Sequence, residues 1–271
     1  MTKLVLSPPA LPAVGRWAAA IMLAAGAILL AVPCARAQGD DAPNILKAMS
    51  DYLAGQKTIS AAFDSDIEVV TTDLEMIQFA SSGTLLLSRP DKLRATRTGG
   101  YADVELVYDG KTLTVYDKYH KSFVQADAPG SVDQVVDRMR NEFGVEAPGA
   151  DLLLSGVYDV LMKDVVDAKH IGRGVIDGVE CEHLAFRNQE TDWQLWVEVG
   201  AHPIPHKYVI TSKAIAGSPQ YTLRITDWKS DAKIAADAFA FKQPADAKKV
   251  EMGALSQLDE VPPGSMTGGN Q

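Results

Sequence analysis

Cysteine is scarce in this chain: 271 residues hold two, Cys34 and Cys181. Cys34 falls inside a removable leader, so Cys181 is left without a partner and a disulfide framework is excluded for a monomer. Positive charge is short as well. The leader removes Lys3, Arg16 and Arg36 and no acid from totals of 26 bases and 35 acids, leaving 23 against 35, a net charge of −12. No basic stripe interleaved with aromatics offsets this charge, which excludes nucleic acid as a partner.

Catalytic spacings are missing too. His202 and His206 lie four apart, but Pro203 and Pro205 intervene, so they cannot sit one helical turn apart as zinc ligands do. His170 and His183 could meet across neighbouring strands, yet no cysteine pair and no acid at a recognised spacing accompanies them. Ser155-Gly156 lacks the strand-to-helix elbow of a hydrolase nucleophile, and the glycine pairs at 99 and 268 do not precede a helix that would cradle phosphate. The chain therefore reads as non-enzymatic, with no metal and no cofactor. Cys181 reads as a small half-buried apolar residue. Asp192 with Trp193 and Trp196 stays open as a sugar-stacking cluster beside the plainer reading of core packing.

What is present begins with the leader. Trp17 to Pro33 is an uncharged apolar run, preceded by Lys3 and Arg16 and followed by Ala35-Arg36-Ala37. This is the order of an export signal over residues 1–37, cleaved after Ala37. A run of this length also suits a membrane span, and Cys34 a lipid anchor. The Pro33 break, and proline where a lipoprotein signal needs a small residue, favour cleavage. Residues 38–255 suffice for one core, and residues 256–271, with Pro262-Pro263-Gly264 and Gly268-Gly269, read as a disordered tail.

Ile45, Met49, Tyr52 and Leu53 share one helical face, and Gly55 ends that helix. From Thr58 short β-rich runs follow: 62–70, 75–88, 92–98, 103–108, 112–116 and a short one at Phe123 and Val124. Asp109-Gly110 and Asp177-Gly178 mark tight hairpins. Between Ser131 and Lys163 the rhythm breaks. Ser131 with Gln134 forms a capping box ahead of the stripe Val132, Val135, Val136, Met139 and Phe143. A second apolar helix after Pro148 carries Leu152, Leu153, Val157, Leu161 and Met162. Strands resume at 165–174, 179–187, 192–199, 206–213 and 221–228. The fold class is mainly β (α+β): roughly ten antiparallel strands in a strongly curved, unclosed half-barrel, with an N-terminal helix and inserted helices over its mouth.

Imperfect alternation carries further information. Leu85-Leu86-Leu87 is apolar on both faces, and Trp193, Leu195 and Val197 oppose Trp196 across one strand. A sheet apolar on both sides needs two apolar contacts. Two readings stand: an internal cavity closed by the inserted helices, or an ordinary core with helices on both faces.

Several short motifs carry a resemblance. Gly83-Thr84-Leu85 with Arg89-Pro90, Tyr108-Asp109-Gly110-Lys111-Thr112-Leu113, and Phe239-x-Phe241-x-x-Pro244 are similar to the pattern of the LolA/LolB lipoprotein-carrier superfamily. His183-Leu184-Ala185-Phe186, Asp192-Trp193-Gln194-Leu195-Trp196 and Pro203-x-Pro205-His206-Lys207 resemble a family of predicted periplasmic proteins of unknown function within it. The resemblance spans about Ala42 to Val250. It implies a periplasmic, soluble, exported protein with an unclosed barrel, an apolar cavity and a helical lid. The ligand cavity is then expected at Leu85, Leu87, Trp193, Leu195 and Trp196, and the lid at Val135, Met139, Leu153, Val157 and Leu161. Arg89 corresponds to the carrier's strand-end arginine, which latches the lid. A guanidinium suits that task because it offers five donors and stays charged; a plain surface arginine is the other reading.

Two functions follow as expectations. The first is a non-enzymatic monomeric carrier or binder of lipid or lipoprotein acyl chains. The second is an envelope sensor that uses the same sheet and signals through a membrane protein partner.

Overall fold

The structure, a computed structural model, describes residues 41–143, 147–235, 237–251 and 253. The expected leader at 1–37 and tail at 256–271 lie outside the described residues.

Helix α1 (Asp41–Gly55) buries Ala42, Leu46, Met49 and Leu53, spaced four, three and four apart along one stripe. The meander follows: β1 (Thr58–Val70), β2 (Met76–Ser88), β3 (Lys92–Gly99), β4 (Asp103–Tyr108), β5 (Thr112–Asp117) and β6 (Ser122–Asp127). Helix α2 (Val132–Asn141), a 3₁₀ turn (Ala150–Leu153) and helix α3 (Val157–Leu161) interrupt it. The sheet resumes with β7 (Asp167–Ile176), β8 (Val179–Arg187), β9 (Thr191–Glu198), β10 (Pro205–Ser212) and β11 (Gln220–Ser230), and ends with β12 (Lys248–Lys249).

These strands form one twelve-stranded sheet in the order β12-β6-β5-β4-β3-β2-β1-β11-β10-β9-β8-β7. Every neighbouring pair is antiparallel except the two-residue parallel contact of β12 with β6. Among the described residues no ladder joins β7 to β12, so the sheet is unclosed. Asp177 and Gly178 both take positive φ, 50° and 85°, as a two-residue hairpin turn matching the strand twist requires.

Strand register sorts the side chains. Ile59, Leu87, Leu93, Tyr108 and Leu113 stand opposite one another on β1 to β5, and Ala61, Leu85, Ala95, Leu106 and Val115 form the next row on the same face. On β11 to β8 that face carries Leu223, Tyr208, Leu195 and Leu184. All the helices pack on this inner face. The outer face of β3 to β6 is covered by the chain after β11: Arg94 donates to Ala238 O at 2.7 Å, and Phe241 packs on Tyr116 and Phe123.

One expected helix is not continuous. The segment 150–162 is a 3₁₀ turn and a five-residue helix, because Ser155 and Gly156 turn the chain between them. Gly156 is non-helical (φ −115°, ψ 49°), and Asp133 of α2 accepts hydrogen bonds from both the backbone and the hydroxyl of Ser155.

Candidate functional site

The inner face and its helical cover form the candidate site, which divides into two apolar clusters. Over β1 to β5, the α2 residues Val132, Val135, Val136 and Met139 meet Ile59, Leu85, Leu87, Leu93, Tyr108 and Leu113, with Leu154 beside them. Over β8 to β11, α1 and the α3 residues Val157 and Leu161 meet Leu184, Phe186, Trp193, Leu195, Val197, Tyr208 and Leu223. Trp193 stacks on Phe186 at 3.9 Å and meets Tyr208 edge-on at 6.0 Å. Burial pushes the Tyr208 phenol pKa up, with Asp151 adding to the shift.

Polar ties fix the helices to the sheet. Ser131 caps α2: its hydroxyl accepts from Gln134 N, and its own N–H donates to Gln134 Oε1 at 2.9 Å. Gly130, with φ 143°, leaves room for that glutamine, since a β-carbon there would stand 2.3 Å from Gln134 Oε1. Val132 N donates to Pro90 O at 2.8 Å, and the fully buried Tyr108 hydroxyl lies 2.8 Å from Ala128 O and 2.7 Å from Gly130 O. Burial raises the Tyr108 pKa, so this hydroxyl stays a donor. On the other side, Tyr158 N of α3 donates to the buried Ser50 hydroxyl of α1 at 2.9 Å.

Arg89, at the end of β2, reaches the helical layer. Its guanidinium donates to Leu154 O at 3.4 Å, just past the 3₁₀ turn. Burial lowers its pKa while Asp133 opposes that shift, and its Nε is buried without a partner. Arg140 pairs with Asp151 at 2.8 Å and ties α2 to the 3₁₀ turn.

Several expectations change here. Trp196 cannot share a cavity with Trp193 and Leu195, because strand alternation turns it to the outer face. There it stacks on His183 at 4.1 Å under the Lys207 ammonium. The same alternation separates Trp193 from Trp196 and dissolves the sugar-stacking cluster; Asp192 instead pairs with Arg187 and Lys213. His170 and His183 do not meet, since a register shift between His170 and Gly172 leaves His170 on Glu182 at 2.7 Å and His183 on Gln194 at 2.9 Å. Among the described residues no three His, Cys, Asp or Glu side chains gather as a metal site. Leu153 is partly buried and packs against the α2-covered cluster, beside the more deeply buried Leu152 and Leu154. Cys181 is fully rather than half buried, and that burial pushes its thiol up to about 11.

The inner face is filled by side chains. Leu87 and Leu195 are wholly buried, and Leu85 and Trp193 are 9% and 4% exposed. A pocket at Phe79, Ser81, Arg97 and Gly99 encloses about 10 Å³, near the minimum for one water. The tie residues Ser50, Tyr108 and Asp133 carry no local signal of these contacts, because each acts across 20 residues or more.

The fold is similar to several solved structures. One is a chain of the Pseudomonas aeruginosa MucA/MucB complex, with TM-score 0.43 and 12% identity over 78% of this chain. The match spans 63% of the length of that chain. LprF from Mycobacterium bovis has TM-score 0.42 and 11% identity, covering 79% of this chain and 100% of its own. A LolA superfamily protein from Nitrosomonas europaea has TM-score 0.34 and 12% identity, covering 74% and 97%. A comparison with curated proteins finds no match. Residues 42–253 match the family described as "Predicted periplasmic protein (DUF2092)", and the chain belongs to that family.

Proposed function

We propose that this protein is a non-enzymatic periplasmic binder and carrier of acyl-chain amphiphiles, such as lipids or lipoprotein chains. One observation carries the reading: a broad apolar inner face is covered by short helical pieces that polar ties at Arg89, Asp133 and Tyr108 hold in place. Ligand entry requires those pieces to move, because the face is filled without it.

Magnitudes restrict how they move. A chain of about 15 methylenes contributes at most ~12 kcal/mol at ~0.8 kcal/mol per CH₂. Exposing the eight buried apolar side chains Val132, Val135, Val136, Met139, Leu152, Leu154, Val157 and Leu161 would cost about 12–24 kcal/mol. Full exposure is too expensive. The helices therefore slide, so that the acyl chain replaces the sheet against their apolar stripe, and the net affinity falls in the ~0.1–10 μM range.

The test uses variants that keep a single tryptophan. Brominated lipid quenches Trp228, which packs against the α2-covered cluster as well as its neighbour, and leaves Trp196, on the outer face, unchanged. Equal response of both, or of neither, overturns the cavity reading.

The filled inner face also favours a second reading, an envelope sensor that passes helix displacement to a membrane protein partner. Protein purified from its host separates the two. Stoichiometric co-purifying lipid supports the carrier; a ligand-free protein that captures a membrane-anchored partner supports the sensor.

A further inference from the structure

The β1–β2 hairpin reaches past both neighbours. Its strands pair along their whole length, from Thr58↔Ser88 to Val70↔Met76, whereas β3 stops at Ser81↔Gly99 and β11 at Ile67↔Tyr221. The tip and β2 side of the projecting arm expose apolar residues, Leu74, Met76 and Ile77 at 73%, 48% and 40%, while Val69 and Val70 on β1 are buried. Neighbours extend the apolar surface on both faces of the arm, because alternation puts Ile77 with Phe79 on one face and Met76 with Val70 on the other. Phe79 meets the exposed Tyr101 edge-on at 5.7 Å. Gly217, in the β10–β11 turn, sits so close that a β-carbon there would be 3.3 Å from Val70 and 3.5 Å from Met76, which places the exposed Ile215 at the same end.

Leu74 bears two costs at once. It holds φ 64°, a region that asparagine and glycine tolerate better, and it does so in water. The turn does not need its side chain. Thr71 N donates to Glu75 O, Leu74 N to Thr71 O and Glu75 N to the Thr71 hydroxyl, so residues 73–77 are free to present theirs.

Charge indicates what fits. From Thr58 to Ser88 the hairpin carries Asp64, Asp66, Glu68, Asp73 and Glu75 and no Lys or Arg. Asp64 accepts from Ser82 and Glu68 from Gln220 N, and the nearby Arg224 is engaged by Asp177. Among the described residues no ion pair involves Asp73 or Glu75. A second copy of this chain would set acid against acid, and an anionic bilayer would be repelled. We propose that this end of the sheet is a docking surface for a protein segment in which Lys or Arg side chains flank apolar ones. The proposal stands apart from the inner-face reading and survives its failure.

The probe is a labelled nonapeptide alternating Lys with Leu and Ile, with its Glu-for-Lys counterpart as control. The purified protein binds the Lys peptide, more weakly as salt rises, and does not bind the Glu peptide. Asp73→Lys with Glu75→Lys, and separately Leu74→Asn with Ile77→Ser, each weaken binding about tenfold or more. Asp137→Lys on α2 leaves it unchanged. Leu74→Asn alone keeps the thermal midpoint equal or higher while weakening binding, which separates recognition from folding. The proposal is overturned if Asp137→Lys weakens binding as much as the arm variants, or if the arm variants bind like wild type. Arm-dependent binding to phosphatidylcholine vesicles without binding to the Lys peptide overturns it as well.

Discussion

Leu85 and Trp193 both lie on the inner face, one in each half of the sheet, yet their surroundings differ. Trp193 is stacked on Phe186, edged by Tyr208 and roofed by α1 and α3, with apolar residues on both sides of it across the strands. Leu85 lies under α2, but two and four residues back along its strand come Gly83 and Ser81, with Arg97 and Gly99 opposite them on β3. Apolar cover there ends after two rows. The first half is also where the polar ties concentrate, at Ser131, Tyr108, Arg89 and Asp133. We propose that packing mainly holds the β7–β11 half together, whereas the β1–β6 half combines the packing of α2 with the polar ties that hold it down. Opening is expected over β1 to β6.

The sharpest way to break this contrast is to cut one large side chain from each half. Trp193→Ala should cost about 3–5 kcal/mol and lower the thermal midpoint of the whole domain, with hydrogen exchange rising throughout. Met139→Ala, near the low end of about 2–5 kcal/mol, should raise exchange mainly in residues 131–162. If Met139→Ala loosens β7 to β11 equally, the halves are one cooperative core and the distinction fails.

Arg89→Leu comes next in size. The variant loses a long hydrogen bond to Leu154 O and the attraction of Asp133, but it also removes a buried unpartnered Nε, so global stability should change by less than about 1 kcal/mol. Exchange in α2 and α3 should still rise about threefold to tenfold, since a net hydrogen bond contributes ~1 kcal/mol. An unchanged exchange pattern would leave Arg89 a strand-end charge with no hold on the helices.

Much of this contrast could be read from local pattern. The capping box at Ser131 and Gln134, the Asp177-Gly178 turn and the alternation along β9 are encoded within a few residues and appear where expected. Long-range choices left no such trace. Period two shows that Trp193 and Trp196 oppose each other, but not which one the helices cover. The break at Ser155 depends on Asp133, 22 residues earlier, and Ser50 meets Tyr158 across 108 residues. The shift at Ile171 that keeps His170 from His183 arises only when β7 is laid on β8.

The smallest expected effect concerns Cys181, which tests whether the β7–β11 half stays shut when the other opens. It is fully buried on β8, and desolvation first, then Glu198, raise its thiol to about 11 from an ordinary value of 9.0. The neutral thiol is thus favoured in the fold. Its stabilisation is fully present below about pH 9 and is lost as pH rises towards about 11, where the unfolded chain is already thiolate. Wild type should therefore lose more stability than Cys181→Ala over that interval; the difference isolates the thiol from the tyrosines, whose raised pKa values both proteins share. At pH 8 iodoacetamide should label Cys181 only as fast as the whole domain unfolds, because thiolate and access are both denied in the folded state. Once scaled for any change in global stability, that rate should be the same in Arg89→Leu. Faster labelling in Arg89→Leu would mean that unlatching α2 also opens β8, and that the two halves do not move independently.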